Sequence, residues 1–376
     1  MNSRLKVLFI PFEGTHWAIA RGVPYSAYLG LEEGFKASDA QCLTIPATWS
    51  SPAQSERTAW LNRAKEICAG KQFDQVWVEI LHTHLDDDIL DWIASLAPVR
   101  VGILLESLTY NDDELALTRD IHGRQERIEH RLKYITHLAA VDEKDVTEIN
   151  ARQLARAMWS PAAVAGRYVN EGETRTPDNY ATFIGNPYWQ RGPWLENSQL
   201  KGRLVHMVSS ENKTRYPSMF DWLNRFGRRY SESPLPASPG RLLYVMCLRG
   251  IRRQCFRYYL ESLQLGCAVV NLPHFVKTYS YRVVETMAAG RPAISWEIPD
   301  RPLNKALFED GKEILLFKED EPGELAAHIE RVIAEPDLAK LIVANARRNL
   351  IRFHTIEKRV QQILTWIGNG DAPSYV

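Results

Sequence analysis

The 376-residue sequence is short of several features that would decide its class at once. It has no net charge, with 46 Lys plus Arg against 46 Asp plus Glu, so no global field draws it to nucleic acid or anionic lipid. Its five cysteines (Cys42, Cys68, Cys247, Cys255 and Cys267) are odd in number and form no C-x-x-C pair. That argues against a disulfide framework and a zinc knuckle. No apolar run approaches the roughly 18 residues that span a bilayer, and the run Val7 to Ile10 is too short for a signal-peptide core. These absences predict a reduced, cytoplasmic protein with no integral membrane segment and no nucleic-acid partner. There is no solenoid or propeller repeat. No dinucleotide fingerprint G-x-G-x-x-G follows a first strand, which disfavours a nicotinamide-dependent oxidoreductase.

What the chain does have is alternation. Hydrophobic residues make up 45% and charged residues 24%, ordinary for a globular protein long enough for two cores. Short apolar runs alternate with amphipathic stretches, the pattern of an α/β protein with parallel sheets. In the first half the strands are expected at Lys6 to Pro11, Gln41 to Ile45, Gln75 to Ile80, Arg100 to Leu105 and Thr136 to Val141. A long charged helix is expected from Asp113 to Tyr134. After a polar linker a second cycle follows, with strands at Tyr180 to Gly185, Arg203 to Val208, Arg241 to Met246, Gly266 to Leu272, Arg291 to Trp296 and Glu313 to Phe317. The division is residues 1–165, a Rossmann-like domain; 166–179, the linker; 180–350, a second Rossmann-like domain; and 351–376, a C-terminal helix with a disordered tail. Two such domains bind ligands in the cleft at the C-terminal ends of their strands.

Charge is uneven locally. Between Lys201 and Arg257 stand twelve Lys or Arg against three acids (Glu211, Asp221 and Glu232), which suits a local anionic ligand or a solvated surface. The most informative stretch runs from His274 to Ser295. Ser280 is a plausible N-cap, Val283, Val284 and Met287 form a buried side, Gly290 suits a left-handed C-cap, and Pro292 stops the helix. Such a helix points free N–H groups into the cleft and can seat a phosphate. Glu285 lies a turn further in and could accept from a ribose diol; the same spacing fits a plain i,i+3 ion pair with Arg282.

The run Ser280-x-Arg282-x-x-Glu285-x-Met287-Ala-Ala-Gly290-Arg-Pro292 resembles the nucleotide-binding helix of group 1 glycosyltransferases, the retaining enzymes of the GT-B fold, and is nearest to the CgeB-type spore-coat branch. The stretches Leu307 to Leu316, Glu324 to Ala327, Ala346 to Asn349 and Phe353 to Thr355 are similar too. The resemblance covers roughly residues 180–367 and is weak over 1–150. It implies two facing Rossmann-like domains with a crossover helix packing back on the N-domain. It also implies a hexosyltransferase-type enzyme of glycan biosynthesis. Its donor would be a nucleotide-diphosphate sugar, and its acceptor a glycan, a lipid-linked molecule or a small molecule.

With that resemblance, Lys277, Tyr279, Ser280, Tyr281, Arg282 and Glu285 become candidates for nucleotide or substrate binding, with Lys213 and Arg215 for the diphosphate and Arg249, Arg252 and Arg253 as further cations in reach. Gly14 and His16 lie in the first strand-to-helix loop, at the donor-phosphate approach. Arg191 matches a family arginine. His84, with His82, follows the third strand and Glu106 the fourth, at cleft-facing ends where a catalytic base or sugar ligand belongs. Many group 1 enzymes carry two glutamates eight positions apart; counting back from Glu285 places Lys277 where the sugar-contacting one belongs. No cofactor and no metal are expected: Asp86, Asp87 and Asp88 near the two histidines read as a dipole-matched helix start, and no D-x-D stands between apolar strands. The alternative reading is a GT-B-shaped binding or scaffold protein that has lost transfer.

Overall fold

The computed structural model describes residues 4–12, 26–47, 54–117, 121–169, 174–185, 187, 190–207, 256–257 and 259–375. The first domain holds β1 (Lys6–Ile10), β2 (Gln41–Thr44), β3 (Gln75–Glu79), β4 (Val99–Leu104), β5 (His137–Ala140) and β6 (Arg156–Trp159). They form one parallel sheet in the order β2-β1-β3-β4-β5-β6. The second domain holds β7 (Asp178–Phe183), β8 (Leu204–His206), β9 (Gly266–Asn271), β10 (Ala293–Trp296) and β11 (Leu315–Phe317). Among the described residues these give a parallel sheet ordered β11-β10-β9-β7-β8. Parallel sheets need cover on both faces, so their central strands are continuous apolar runs; Val7 to Ile10, Val76 to Val78 and Ala268 to Val270 are fully or almost fully buried.

The order of strands locates the cleft. In the first sheet the chain reverses its direction of growth between β1 and β3, and in the second between β7 and β9. Open α/β sheets bind ligands outside the strand ends at such switch points. The residues that follow these four strands are therefore the candidates for a ligand site.

One face of the first sheet is covered by the crossover helix Ile356–Asn369, whose Ile356, Val360, Ile363 and Trp366 join Phe9, Phe35, Trp77 and Ile103 in one core. Thr355 caps it by accepting from the Lys358 N–H. The helix Ser26–Ala37 packs beside it, and Gly34 is required there, because a Cβ at that position would overlap the Val360 side chain. No helix among the described residues is long and apolar enough to cross a membrane.

Four expectations need correction. Arg156–Trp159 is a sixth strand, too short and too unevenly buried to stand out as an apolar run. The single helix expected from Asp113 to Tyr134 is instead two, Asp112–Leu117 and Arg124–Leu132, and the second starts at Gly123 with φ 62°. A left-handed residue ends helical propagation. The C-terminal tail is not disordered: Tyr375 is buried, donates to the Trp159 carbonyl at 2.6 Å and stacks on His354. Ser280 does stand at the N-cap, and Gly290 at the C-cap with φ 83°, but the Ser280 hydroxyl donates to Asn271 Oδ1 at 2.8 Å and makes no capping bond. The strand expected from Arg241 to Met246 lies outside the described residues.

Candidate functional site

The first switch point carries a chain of alternating charges. Glu79 ends β3 and is fully buried; its carboxylate accepts from the backbone N–H groups of Leu81, His82 and Thr83 and from the Thr83 hydroxyl, at 2.8 to 3.0 Å. That knot turns the chain so that His82 faces the end of β4. Its Nδ1 lies 3.3 Å from Glu79 and its Nε2 3.5 Å from Glu106, while Phe12, just past β1, stacks on its ring at 6.0 Å. Glu106 in turn accepts from Arg124 Nη1 at 2.7 Å, and the same nitrogen bonds the Tyr110 hydroxyl at 2.7 Å.

Electrostatics follow from that order. Burial opposes charge on His82, but Glu79 and Glu106 on its two sides outweigh it and push its pKa from 6.5 up to about 10. Burial likewise opposes charge on Glu106, but the bond and charge of His82 with the charge of Arg124 hold it down at about 2. Across neutral pH the cluster is thus an imidazolium between two carboxylates. Its stabilisation has two limits. The His82 part is full below 6.5 and lost as pH rises through about 10; the Glu106 part is full above 4.5 and lost as pH falls through about 2. Proton NMR should therefore show the His82 ring unmoved between pH 5 and pH 8.5, where an ordinary histidine titrates in full (about 6.5). A His82 midpoint near that value would dissolve the assigned cluster.

The second switch point is cationic. Arg191 opens the helix Arg191–Glu196 and is buried; its guanidinium stands 5.4 Å from the centre of the Phe183 ring. Arg282 stands 5.1 Å from the same ring and donates to Asn271 Oδ1 at 3.3 Å. Neither has a carboxylate partner among the described residues, and the Nε atoms of both are buried without a hydrogen bond. Burial, then the charge of Arg282, lowers the Arg191 pKa well below its usual value. His274 lies between them and the first domain. Burial and Arg191 lower its pKa, with Arg282 and Lys277 adding to this and Glu106 opposing it. Its Nδ1 accepts from the Val276 N–H at 3.2 Å, which leaves the ring proton on Nε2 as a donor. Two like charges and a donor gathered beside the N-terminus of the helix Tyr281–Ala289 form a candidate anion site.

The remaining candidates divide. Glu285 is buried one turn inside that helix and accepts from the Tyr259 hydroxyl at 2.9 Å. Lys277 crosses between domains: its N–H donates to Ser107 Oγ at 2.8 Å and its ammonium pairs with buried Glu114. Tyr279 packs in the second core against Phe308, and half-buried Tyr281 touches both cores. His84 is exposed and makes no bond with Glu106; partial burial, Arg131 and Arg57 lower its pKa. The histidine that meets Glu106 is His82, two residues earlier. Asp86 sits at the N-cap of the helix Asp87–Leu96, with Asp87 and Asp88 in its first turn, as expected. Trp60 and Trp194 are core residues. Gly14, His16, Lys213, Arg215, Arg249, Arg252 and Arg253 lie outside the described residues. Glu79, Tyr110, Arg124 and His274 were not singled out by sequence reasoning. Only His274, at the head of the informative block, carried a local signal.

A family model described as glycosyl transferase-like matches residues 253–365. No curated protein matches the sequence. Among solved structures, sucrose-phosphate synthase from Thermosynechococcus elongatus is similar with a TM-score of 0.56 at 12% identity, over 97% of this chain and 98% of that one. An alpha-glucosyltransferase solved with UDP and a 13-mer DNA gives 0.56 at 11%, over 98% and 100%. Anabaena HepE, solved with UDP and glucose, gives 0.52 at 11%, over 97% and 100%. The protein thus has the α/β GT-B fold, with two parallel-sheet domains.

Proposed function

We propose that the protein is a glycosyltransferase that moves a sugar from a nucleoside-diphosphate donor to an acceptor hydroxyl, without a metal. The observation that carries this reading is the pair Arg191, buried, and Arg282, half-buried, which share the Phe183 ring and have no carboxylate partner among the described residues. As the bond from the sugar C1 to the diphosphate breaks, negative charge grows on the leaving oxygen. Cations already in place stabilise it without reorganisation. The N-terminus of Tyr281–Ala289 adds N–H donors, and Glu285, steadied by Tyr259, takes the ribose diol.

Glu106 faces the acceptor side. A carboxylate held at about 2 is ionised yet a weak base, so it orients the acceptor hydroxyl and does not deprotonate it. The hydroxyl proton then passes to the departing diphosphate oxygen, which keeps attack and departure on one face of the sugar. That favours retention. The lysine at 277, committed to Glu114, fits the CgeB-type branch, in which the transferred sugar is recognised differently. The transferred sugar would be a hexose, used in glycan assembly in the cytoplasm.

UDP is the first probe to try, since two of the similar structures were solved with it. A ligand held only by the native state raises its stability by mass action, about 2.7 kcal/mol at a hundredfold excess over Kd. Of UDP, GDP, ADP, CMP and dTDP, one diphosphate should raise the Tm equally with and without EDTA. Glu285→Ala should lose that shift and slow turnover. If none of the nucleotides moves the Tm, and no donor is hydrolysed in the absence of acceptor, the non-catalytic scaffold reading replaces this one.

A further inference from the structure

The crossover helix buries an arginine that the transfer reaction does not use. Arg359 is 3% exposed, on the face of the helix turned toward the first sheet. Its Nη2 meets His354 Nδ1 at 3.2 Å and its guanidinium covers the Tyr375 ring at 4.3 Å. Its Nε and Nη1 are buried with no hydrogen-bond partner, and no carboxylate pairs with it among the described residues. Burial lowers its pKa, as expected of a charge without a counter-ion.

Arg359 also lines a cavity of about 30 Å³ between the sheet and the crossover helix. Trp77, Ile103 and Ala163 make up part of its apolar wall, Ser160 and Tyr281 are its hydroxyl-bearing residues, and no acid is in the lining. A single water needs roughly 10–15 Å³ by this measure, so the space takes about two waters or one small ion, far less than a nucleotide. An apolar cavity stays dry unless polar groups line it, and an unpaired buried cation favours whatever neutralises it. Ser160 and Tyr281 are both half-buried, so solvent reaches the lining at these two residues.

We propose that this cavity binds one monovalent inorganic anion of chloride or nitrate size, held by the Arg359 guanidinium. The site is separate from the diphosphate site at Arg191 and Arg282, and it stands whether or not the protein transfers sugar. It touches the donor side through Tyr281, the first residue of the helix that carries Arg282. The bound anion therefore ties the crossover helix to the donor helix.

The test uses the full chain and two readouts. Melting is followed in chloride, bromide or nitrate against gluconate, at constant ionic strength. The expected result is a saturable rise of about 3–6 °C, which is the response to roughly tenfold stronger apparent folding per domain. Arg359→Met should abolish the rise. Because that variant also removes packing, bromide-soaked crystals of the wild-type protein give the second readout: an anomalous peak within hydrogen-bond distance of the guanidinium. A melting temperature that does not distinguish the anions, with only water density beside Arg359, overturns the proposal. So does an anion effect of the same size in Arg359→Met.

Discussion

Replacing Arg191 and Arg282 together with alanine should cut turnover by about a thousandfold or more while leaving the nucleotide-free protein no less stable. Removing one pre-aimed donor from a site of growing charge lowers turnover about 10²–10³-fold, and here two cations go. The stability side has the opposite sign. Each guanidinium gains about 0.5–2 kcal/mol from lying over the Phe183 ring. Against that stand the removal of the Arg191 charge from water, several kcal/mol for a buried ion, and the repulsion from half-buried Arg282, which depresses the Arg191 pKa after burial itself. The second pair of effects is larger. The free double variant should melt at or a few degrees above the wild type, and the Tm rise given by UDP should vanish. Arg282→Lys should keep part of the turnover, since a cation remains. A double variant that melts far lower and still responds to UDP would show the pair to be scaffolding, with the diphosphate bound elsewhere.

Much of the frame is legible in the sequence, because central parallel strands must be apolar on both faces. Val7 to Ile10 and Val76 to Val78 could hardly be anything else. Edge and interruption are harder to read. Arg156–Trp159 pairs on one side only and so needs fewer apolar residues, while Gly123 splits a helix that charge periodicity alone would continue. The C-terminal tail reads as polar and loose, yet one tyrosine placed against Trp159, His354 and Arg359 is enough to order it.

The site was legible only in its local parts. The helix from Ser280 to Gly290 carries its caps and apolar stripe in consecutive residues, so its place beside the cleft could be foreseen. Which of His82 and His84 faces inward depends on Glu79 gathering three backbone N–H groups, a turn that no composition or period encodes. The pairing of Arg191 with Arg282, and of Lys277 with Glu114, joins residues far apart in the chain. Such contacts are decided by the fold, and sequence spacing says nothing of them.

The same long-range logic makes Arg301 the most sensitive position between the domains. It precedes the short helix Pro302–Lys305 in the second domain and grips Asp142 of the first through two bonds, Nε to Oδ1 at 2.6 Å and Nη2 to Oδ2 at 3.0 Å. Both side chains are essentially buried, at 4% and 0% exposure. Beside them Glu143 accepts from the N–H groups of Leu303 and Asn304 at 3.1 and 2.7 Å, and Asn304 donates to Thr278 on the approach to the donor helix. Arg301→Ala leaves a buried carboxylate unpaired, which costs about 3–5 kcal/mol. At about 2–4 °C per kcal/mol for domains of this size, the Tm should fall on the order of 10 °C. Asp142→Asn combined with Arg301→Met should recover most of it, because removing both charges also removes the desolvation penalty.

The loss in Arg301→Ala should also depend on pH. Asp145 lies behind the pair, and burial followed by the Asp142 charge raises its pKa from 3.8 to about 7, with Arg301 holding it lower than it would otherwise be. A carboxyl whose folded pKa is raised binds more protons folded than unfolded between those two values. Stability from this group therefore falls as pH rises from about 4 to about 7. Without Arg301 the repulsion between Asp142 and Asp145 is unbalanced at pH 8 and relieved at pH 5, where Asp145 is protonated. Chemical denaturation at the two pH values should show a larger deficit for the variant at pH 8. An equal deficit at both would mean that Arg301 acts through packing alone.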